Sequence, residues 1–385
     1  MTVLLDDGQA DAGTHVLLIG VGHYPYLKGG TEVPFPLHME MGQLSSPPES
    51  VRALSAWLMD GASGFHNPER PLRSLQVLCS AAGGLSIPNA EGAPTPVDAA
   101  RVGPVKQAIA DWMGRANRSS DNAALFFFCG HGLAFGEAEN SLLLEEFGRN
   151  ANDPLDDALA FDEMRMGVIG RCSANHQIHL IDACRTPPSR TFLDTYGSKS
   201  TGVPMVAGGF SRRVRDKNAP VFFATGLASS AYGLNNKPSL FTQGFLQSMR
   251  GPASRDKGDH WAVQVPALAE GINKCVASMA YERQPQYCQP LATGSELTIH
   301  KLRAEPESIV KVYTRDPALL PATILAHVAE ATQVRGQRQP PEATPWWVTL
   351  ATGAYRFEAV DVADGTTVMG QKQRYVVPPG AEVAL

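Results

Sequence analysis

Two residues in this chain have the types and the setting that acyl-transfer chemistry needs: His131, within FFFCGHG (126–132), and Cys184, at the end of LIDAC (180–184). A thiol with an ordinary pKa of about 8.5 is only a few per cent thiolate at neutral pH, so a neighbouring imidazole is what makes it a nucleophile. Gly130 permits a tight turn before the histidine, and Gly132 after it lets a backbone N–H approach a substrate closely. The N–H groups of Gly132 and Cys184 are therefore the candidates to hold a tetrahedral oxyanion. This chemistry requires neither a metal nor an organic cofactor.

Both residues close a hydrophobic run. ALFFFCGHG (124–132) and QIHLIDAC (177–184) read as buried strands of a parallel sheet, each ending at its reactive side chain. In open parallel sheets, ligands collect beyond the carboxyl ends of the strands. Cys184 follows His131 by 53 positions, which leaves room for one crossover helix and a small inserted hairpin. The two strands are thus expected side by side.

The rest of the first 300 residues supplies the sheet. HVLLIGV (15–21), LQVLC (75–79) and PVFFAT (220–225) read as further strands, with ELTIHKL (296–302) closing the sheet. Ser46-Pro47-Pro48-Glu49 reads as a helix start, followed by an apolar face of Val51, Leu54, Trp57 and Leu58. Val105, Ile109, Trp112 and Met113 mark a second helix, FDEMRMGVI a third, and LFTQGFLQSM a fourth capped by Ser239; a longer helix is expected over 263–279. Residues 80–100 read as a surface loop. From about residue 303, short β-prone runs between Pro, Gly and Asp turns predict a separate β-sandwich with the Trp346-Trp347 pair in its core. The expected division is 1–302 and 303–385.

The motifs together resemble those of caspases, metacaspases and bacterial caspase-like peptidases: a hydrophobic strand then CGHG, and a later hydrophobic strand then DACR. The resemblance spans roughly residues 14–300. It implies an α/β fold with a six-stranded, mainly parallel sheet and helices on both faces, His131 and Cys184 as the catalytic pair, and Gly132 with Cys184 at the oxyanion hole. Asp182 stands where caspases have Gln and Thr186 where they have Gly, which turns the expected specificity away from aspartate. Asp182 instead matches the acidic residue two before the cysteine in metacaspases and implies a pocket for Arg or Lys before the scissile bond (P1). Ser229, Ser230 and Tyr232 fall where relatives build a substrate-binding wall. The 186–219 linker, with Arg190, Lys199 and SRRVRDK (211–217), lies where relatives process themselves. Bacterial relatives cut a partner protein, sometimes a gasdermin-like pore former, in stress, cell-death or anti-phage responses, and some metacaspases need calcium. The terminal strands resemble small Ig-like modules of the PEGA type.

Composition removes other classes. With 33 Lys and Arg against 38 Asp and Glu, a net charge of −5 and no basic block, nucleic acid is not an expected partner. The six cysteines are scattered singly, as suits reduced thiols, and neither a signal peptide nor an apolar run of about 20 residues is seen, so a cytoplasmic protein is expected. A zinc site from Cys172, His176, His179 and Cys184 is disfavoured, because an odd separation on one strand points side chains to opposite faces. An inactive caspase-like scaffold and a hydrolase of another acyl bond are the competing functions.

Overall fold

Alternation along the strands decides how the sheet is covered. In the computed structural model, which describes residues 2–197, 201–206, 217–227, 229, 231, 233, 235–279, 286–291 and 296–385, β2 (Thr14–Val21) and β6 (Ala123–Gly130) are buried along their whole length. Leu17, Ile19, Phe126 and Phe128 join a core with Val105, Ile109 and Trp112 of α2 (Val102–Ala116). The intervening positions face α1 (Ser46–Met59): a side chain at Gly20 would meet Val51 Cγ2 at 2.7 Å. Each strand thus needs apolar residues at every position, and helices lie on both faces.

The chain divides into two compact units, Met1–Gln243 with Gln286–Leu297, and Gly244–Pro285 with Thr298–Leu385. The first holds a seven-stranded sheet in the order β1-β3-β2-β6-β10-β11-β14. Its parallel centre is β3 (Leu72–Ser80), β2, β6, β10 (His176–Ala183) and β11 (Val221–Phe223). Antiparallel strands β1 (Thr2–Asp6) and β14 (Gln289–Leu291) occupy the edges. A hairpin, β4 (Ser86–Pro88) with β5 (Pro94–Pro96), lies inside the expected 80–100 loop.

The sheet has seven strands where six are expected, because its two edges differ from the sequence expectation. TVLLD at the N-terminus forms a strand, because its short alternating run finds the free edge of β3. Residues 296–302 do not close the main sheet: β15 (Thr298–Lys301) pairs with β13 (Trp261–Gln264), which pairs with β12 (Ser254–Asp256), and QPL of β14 takes the edge. Hydrophobic alternation alone does not say which of two nearby edges a strand joins.

Between the reactive strands lies the small sheet β7 (Gly132–Gly136), β8 (Glu139–Leu143) and β9 (Ala158–Ala160), then α3 (Phe161–Arg171). After Cys184 come α4 (Arg190–Tyr196) and later α5 (Leu240–Ser248), where Ser239 Oγ accepts the Thr242 N–H at 3.0 Å as an N-cap. Among the described residues, no helix is long and apolar enough to cross a membrane.

The second unit combines the β12-β13-β15 sheet and α6 (Val265–Met279) with two further sheets. One has β19 (Trp346–Ala351), β16 (Glu307–Tyr313) and β22 (Gly380–Ala384); the other has β18 (Arg335–Arg338), β17 (Thr323–Ala329), β20 (Gly353–Asp361) and β21 (Val368–Val376). Val310, Val312, Leu325, Phe357 and Val383 fill their common core. The tryptophan pair splits, as neighbours on a strand must. Trp346 stacks on His327 with ring centroids 5.6 Å apart, whereas Trp347 takes the ammonium groups of Lys311 at 5.5 Å and Lys274 at 5.8 Å over its ring.

One buried charge ties stability to pH. The Asp157 side chain, only 1% exposed, pairs with Arg149 at 2.8 Å, and its backbone carbonyl accepts the Leu144 N–H after β8. Burial pushes its carboxyl up from 3.8 to about 6 despite Arg149. A folded pKa above the unfolded one favours the protonated form, so this contribution is complete below about pH 4 and is lost as pH rises through about 6. We expect urea stability to fall by about 1–2 kcal/mol across that window relative to Asp157→Asn, whose own profile should be flatter.

Candidate active site

The register of β6 and β10 brings the two reactive residues together. Asp182 pairs with Cys129 and Ala183 with Gly130, and beyond the strand ends a bridge joins Thr186 to Leu133. Every one of these pairs keeps the 53-position offset that separates His131 from Cys184. His131 and Cys184 therefore stand at matching positions just beyond the ends of adjacent strands spaced about 4.8 Å apart.

The backbone around the histidine is held from below. Tyr24, fully buried, accepts the His131 N–H at 2.8 Å and donates to the Leu143 carbonyl at 3.2 Å, with its ring centroid 4.9 Å from the imidazole. The imidazole itself meets the Gly42 carbonyl, Nε2 to O at 2.8 Å. A carbonyl can only accept, so Nε2 carries the proton and Nδ1 keeps its lone pair. Burial lowers the pKa of His131, with the Gly42 carbonyl pulling the other way, so the neutral ring is the form at pH 7. A base with a free Nδ1 is thereby prepared before any substrate arrives.

The loop carrying Gly42 is braced. Gln43 Oε1 accepts the Tyr24 N–H and Gln43 Nε2 donates to the Tyr24 carbonyl, both at 2.9 Å. Just before it, Met39 and Glu40 take positive φ values of 51° and 59°, an unusual conformation for side-chain-bearing residues. The Lys28 N–H to the Met41 carbonyl, 3.1 Å, and the Met41 N–H to the His38 carbonyl, 2.9 Å, hold this turn in place.

Cys184 is half-buried, and its sulfur receives the Ala231 N–H at 3.2 Å and lies 3.9 Å from the Ala231 carbonyl oxygen. The other cysteines are buried, and burial raises the thiols of Cys79, Cys275 and Cys288 to about 12 and that of Cys129 well above its usual range. Cys184 alone has both access and a hydrogen-bond donor at its sulfur among them. A cavity of about 450 Å³ opens over it, lined by Met39, Glu40, Met41, Gly42, His131, Gly132, Leu133, Cys184, Thr186, Pro187 and Ser189.

Gly132 has no room for a side chain. A Cβ there would lie 2.6 Å from the Cys184 carbonyl oxygen and 3.1 Å from Ala183 Cβ. Close approach of the two strand ends is what the glycine permits.

The other sequence candidates lie elsewhere. Asp182 is only 3% exposed and is not among the residues lining the cavity. Its carboxylate accepts the Ser239 hydroxyl and, at 2.9 Å, the Thr242 hydroxyl, and so anchors the start of α5. Burial raises its pKa, with the Ser239, Thr242 and Cys129 hydrogen bonds opposing. Ser229 uses its backbone carbonyl to accept from the Arg185 N–H and the Thr225 hydroxyl, each at 3.2 Å. Ser230 and Tyr232 lie outside the described residues, as does the SRRVRDK segment up to 216. Of the zinc-competent quartet, His179 is fully buried between Phe126 and Phe161, with its pKa lowered by burial to about 3. Among the described residues, no group of three or more His, Cys, Asp or Glu side chains is placed to hold a metal ion.

Three participants escaped the sequence reading. The Gly42 carbonyl and Ala231 N–H are backbone groups, which every residue has and no motif marks. Arg185 was visible in DACR, and its role is structural: 4% exposed, it donates to Asn140 Oδ1 at 3.1 Å, Gln289 Oε1 at 2.9 Å and the Glu137 carbonyl at 2.9 Å, with its guanidinium 4.2 Å over Phe223. Asp162 in turn accepts two N–H groups of Asn140 at 2.8 Å.

The family model for the caspase domain matches residues 15–294. A curated relative, an uncharacterized protein y4kE of Sinorhizobium fredii (strain NBRC 101917 / NGR234), is 24% identical over 217 residues, 56% of this chain; the match spans about 60% of that relative's length. Among solved structures, caspase-1 from Spodoptera frugiperda aligns with 75% of this chain and 92% of its own, at 10% identity and a TM-score of 0.41.

Two substitutions probe this geometry. Tyr24→Phe should lower urea stability by about 1–3 kcal/mol, because the buried His131 N–H and Leu143 carbonyl lose their partner. Gly132→Ala should keep the circular-dichroism spectrum of the fold and reduce peptide turnover by roughly a hundredfold, since the added methyl must push the Cys184 backbone away.

Proposed function

This chain belongs to the caspase-domain family of cysteine proteases, and from that premise we propose that it hydrolyses peptide bonds with Cys184 as nucleophile and His131 as proton carrier. The observation that carries the reading is the shared 53-position offset, which sets Cys184 and His131 at matching positions at adjacent strand ends. His131 Nδ1 takes the thiol proton as sulfur attacks the carbonyl carbon. The oxyanion is received by the N–H groups of Gly132 and Cys184. The proton then passes to the leaving nitrogen, the C–N bond breaks, and a thioester remains on Cys184. Water, deprotonated by the same imidazole, cleaves the thioester and restores the thiol.

A preference for Arg or Lys at P1 is the finer part of the proposal, supported by the acidic Asp182 two residues before the nucleophile. Its carboxylate is engaged by Ser239 and Thr242, so a P1 cation would be received there by displacing one of those hydroxyls. The physiological substrate in this reading is a partner protein cut at few sites, a gasdermin-like or other effector, inside the cytoplasm during bacterial stress, cell death or anti-phage defence. The 186–219 linker is a candidate for self-cleavage, and residues 303–385 for an accessory domain.

The test is turnover of peptides with Arg, Lys, Asp or Leu at P1 by the protein and by Cys184→Ala, with calcium varied. Loss of cleavage in the variant is expected; equal behaviour of the two sinks the protease reading, and cleavage after Asp but not Arg or Lys sinks the role given to Asp182. Because burial lowers the His131 pKa, the acid limb of kcat/KM should fall below 6.5, with activity kept at pH 6.5 and lost on further acidification as the imidazole protonates.

A further inference from the structure

We infer that the 450 Å³ cavity is the leaving-side subsite of this protease, and that it selects a large apolar side chain on the residue just after the scissile bond (P1′). The inference rests on the acyl-transfer reading of Cys184 and His131 and adds a substrate class to it.

The stereochemistry of the reaction assigns the cavity to one side of the bond. The tetrahedral carbon carries sulfur, the oxyanion, the acyl chain and the leaving nitrogen. Of the substrate's two sides, only the leaving nitrogen must come within reach of His131, because it receives the proton that the imidazole took from the thiol. The peptide beyond that nitrogen therefore runs past the imidazole. The cavity lies there: His131 and Gly42, whose carbonyl holds the ring, form part of its wall, and Thr186, Pro187 and Ser189 downstream of Cys184 form another. Ala231, which touches the sulfur with its N–H, is not among the lining residues, so the acyl chain is left the Ala231 side.

The lining then states what fits. Met39, Met41, Leu133 and Pro187 present apolar surface. The one carboxylate among the lining residues, Glu40, is paired with Lys28 at 2.8 Å, and both side chains are largely exposed, so a charged P1′ residue gains little there. The volume falls within the range of about 300–1,000 Å³ typical of sites that bury an organic group. Thioethers adapt to varied shapes, which suits Leu, Met and Phe alike. Met39 is also held in position, since its sulfur accepts the Ser189 N–H at 3.4 Å across the cavity.

The experiment is a peptide series with one fixed acyl side and Leu, Met, Phe, Gly, Asp or Lys at P1′. We expect kcat/KM for Leu, Met and Phe to exceed that for Gly and Asp by roughly tenfold to a hundredfold. Hydrolysis of the acyl-enzyme, followed with an ester of the same acyl group, should be the same across the series because the leaving group has already gone. Met39→Glu should shift the Leu-to-Lys ratio toward Lys by about tenfold or more, with alkylation of Cys184 by iodoacetamide retained. Cleavage with a flat profile, or with small or charged residues favoured, overturns the subsite and leaves the Cys184–His131 reading intact. An unchanged ratio in Met39→Glu overturns the role of that wall. No cleavage of any peptide removes both readings together.

Discussion

Parallel pairing of β6 with β10 in a single register is the constraint from which the candidate site follows. Hydrogen bonding runs continuously from His176 opposite Ala123 to Ala183 opposite Gly130, and the bridge at Thr186 and Leu133 shows the same offset after the strands end. Slipping the pairing by one residue would turn Phe126 and Phe128 off the core they share with α2. The cost of that slip fixes the register, and the register fixes which residue faces Cys184. Hydrophobic burial deep in the sheet thereby sets the distance between two polar groups at its edge.

A second layer adjusts chemistry on that frame. The 22–44 loop contributes the Tyr24 hydroxyl under the His131 backbone and the Gly42 carbonyl on its imidazole, so the ring is oriented and its tautomer chosen without a side-chain carboxylate. The positive φ values at Met39 and Glu40 mark where the loop turns sharply beside the cavity. Strain there is held by bonds to Lys28 and His38, on the same loop as the two residues it positions.

Buried polar groups do the bracing that the apolar core cannot. Asp182 holds Ser239 and Thr242 at the start of α5, and Arg185 spans Asn140, Gln289, the Glu137 carbonyl and the face of Phe223. Both flank the Ala183-Cys184 step of the nucleophile strand. Each is nearly inaccessible, and each has its hydrogen-bonding capacity met by several partners, which is the condition for burying such groups. Leaving one partner unpaired would loosen the backbone that presents the sulfur.

Much of this was legible in the sequence, for reasons that are local. The continuous apolar run ALFFFC, and QIHLIDA with its apolar residues broken by single polar ones, read as buried strands, and a glycine-flanked histidine and a cysteine at their ends then lie at the sheet's rim. The 53-residue spacing is also a fact of the sequence, but that it equals the strand offset depends on pairing. Tertiary structure alone decided that Asp182 faces α5 while Cys184, two residues on, reaches the cavity, because the strand ends between them. It alone decided that β14, and not residues 298–301, closes the main sheet, since two short runs compete for one edge. It alone recruited the Gly42 carbonyl, a group with no sequence signature that acts only because a distant loop folds back onto the histidine.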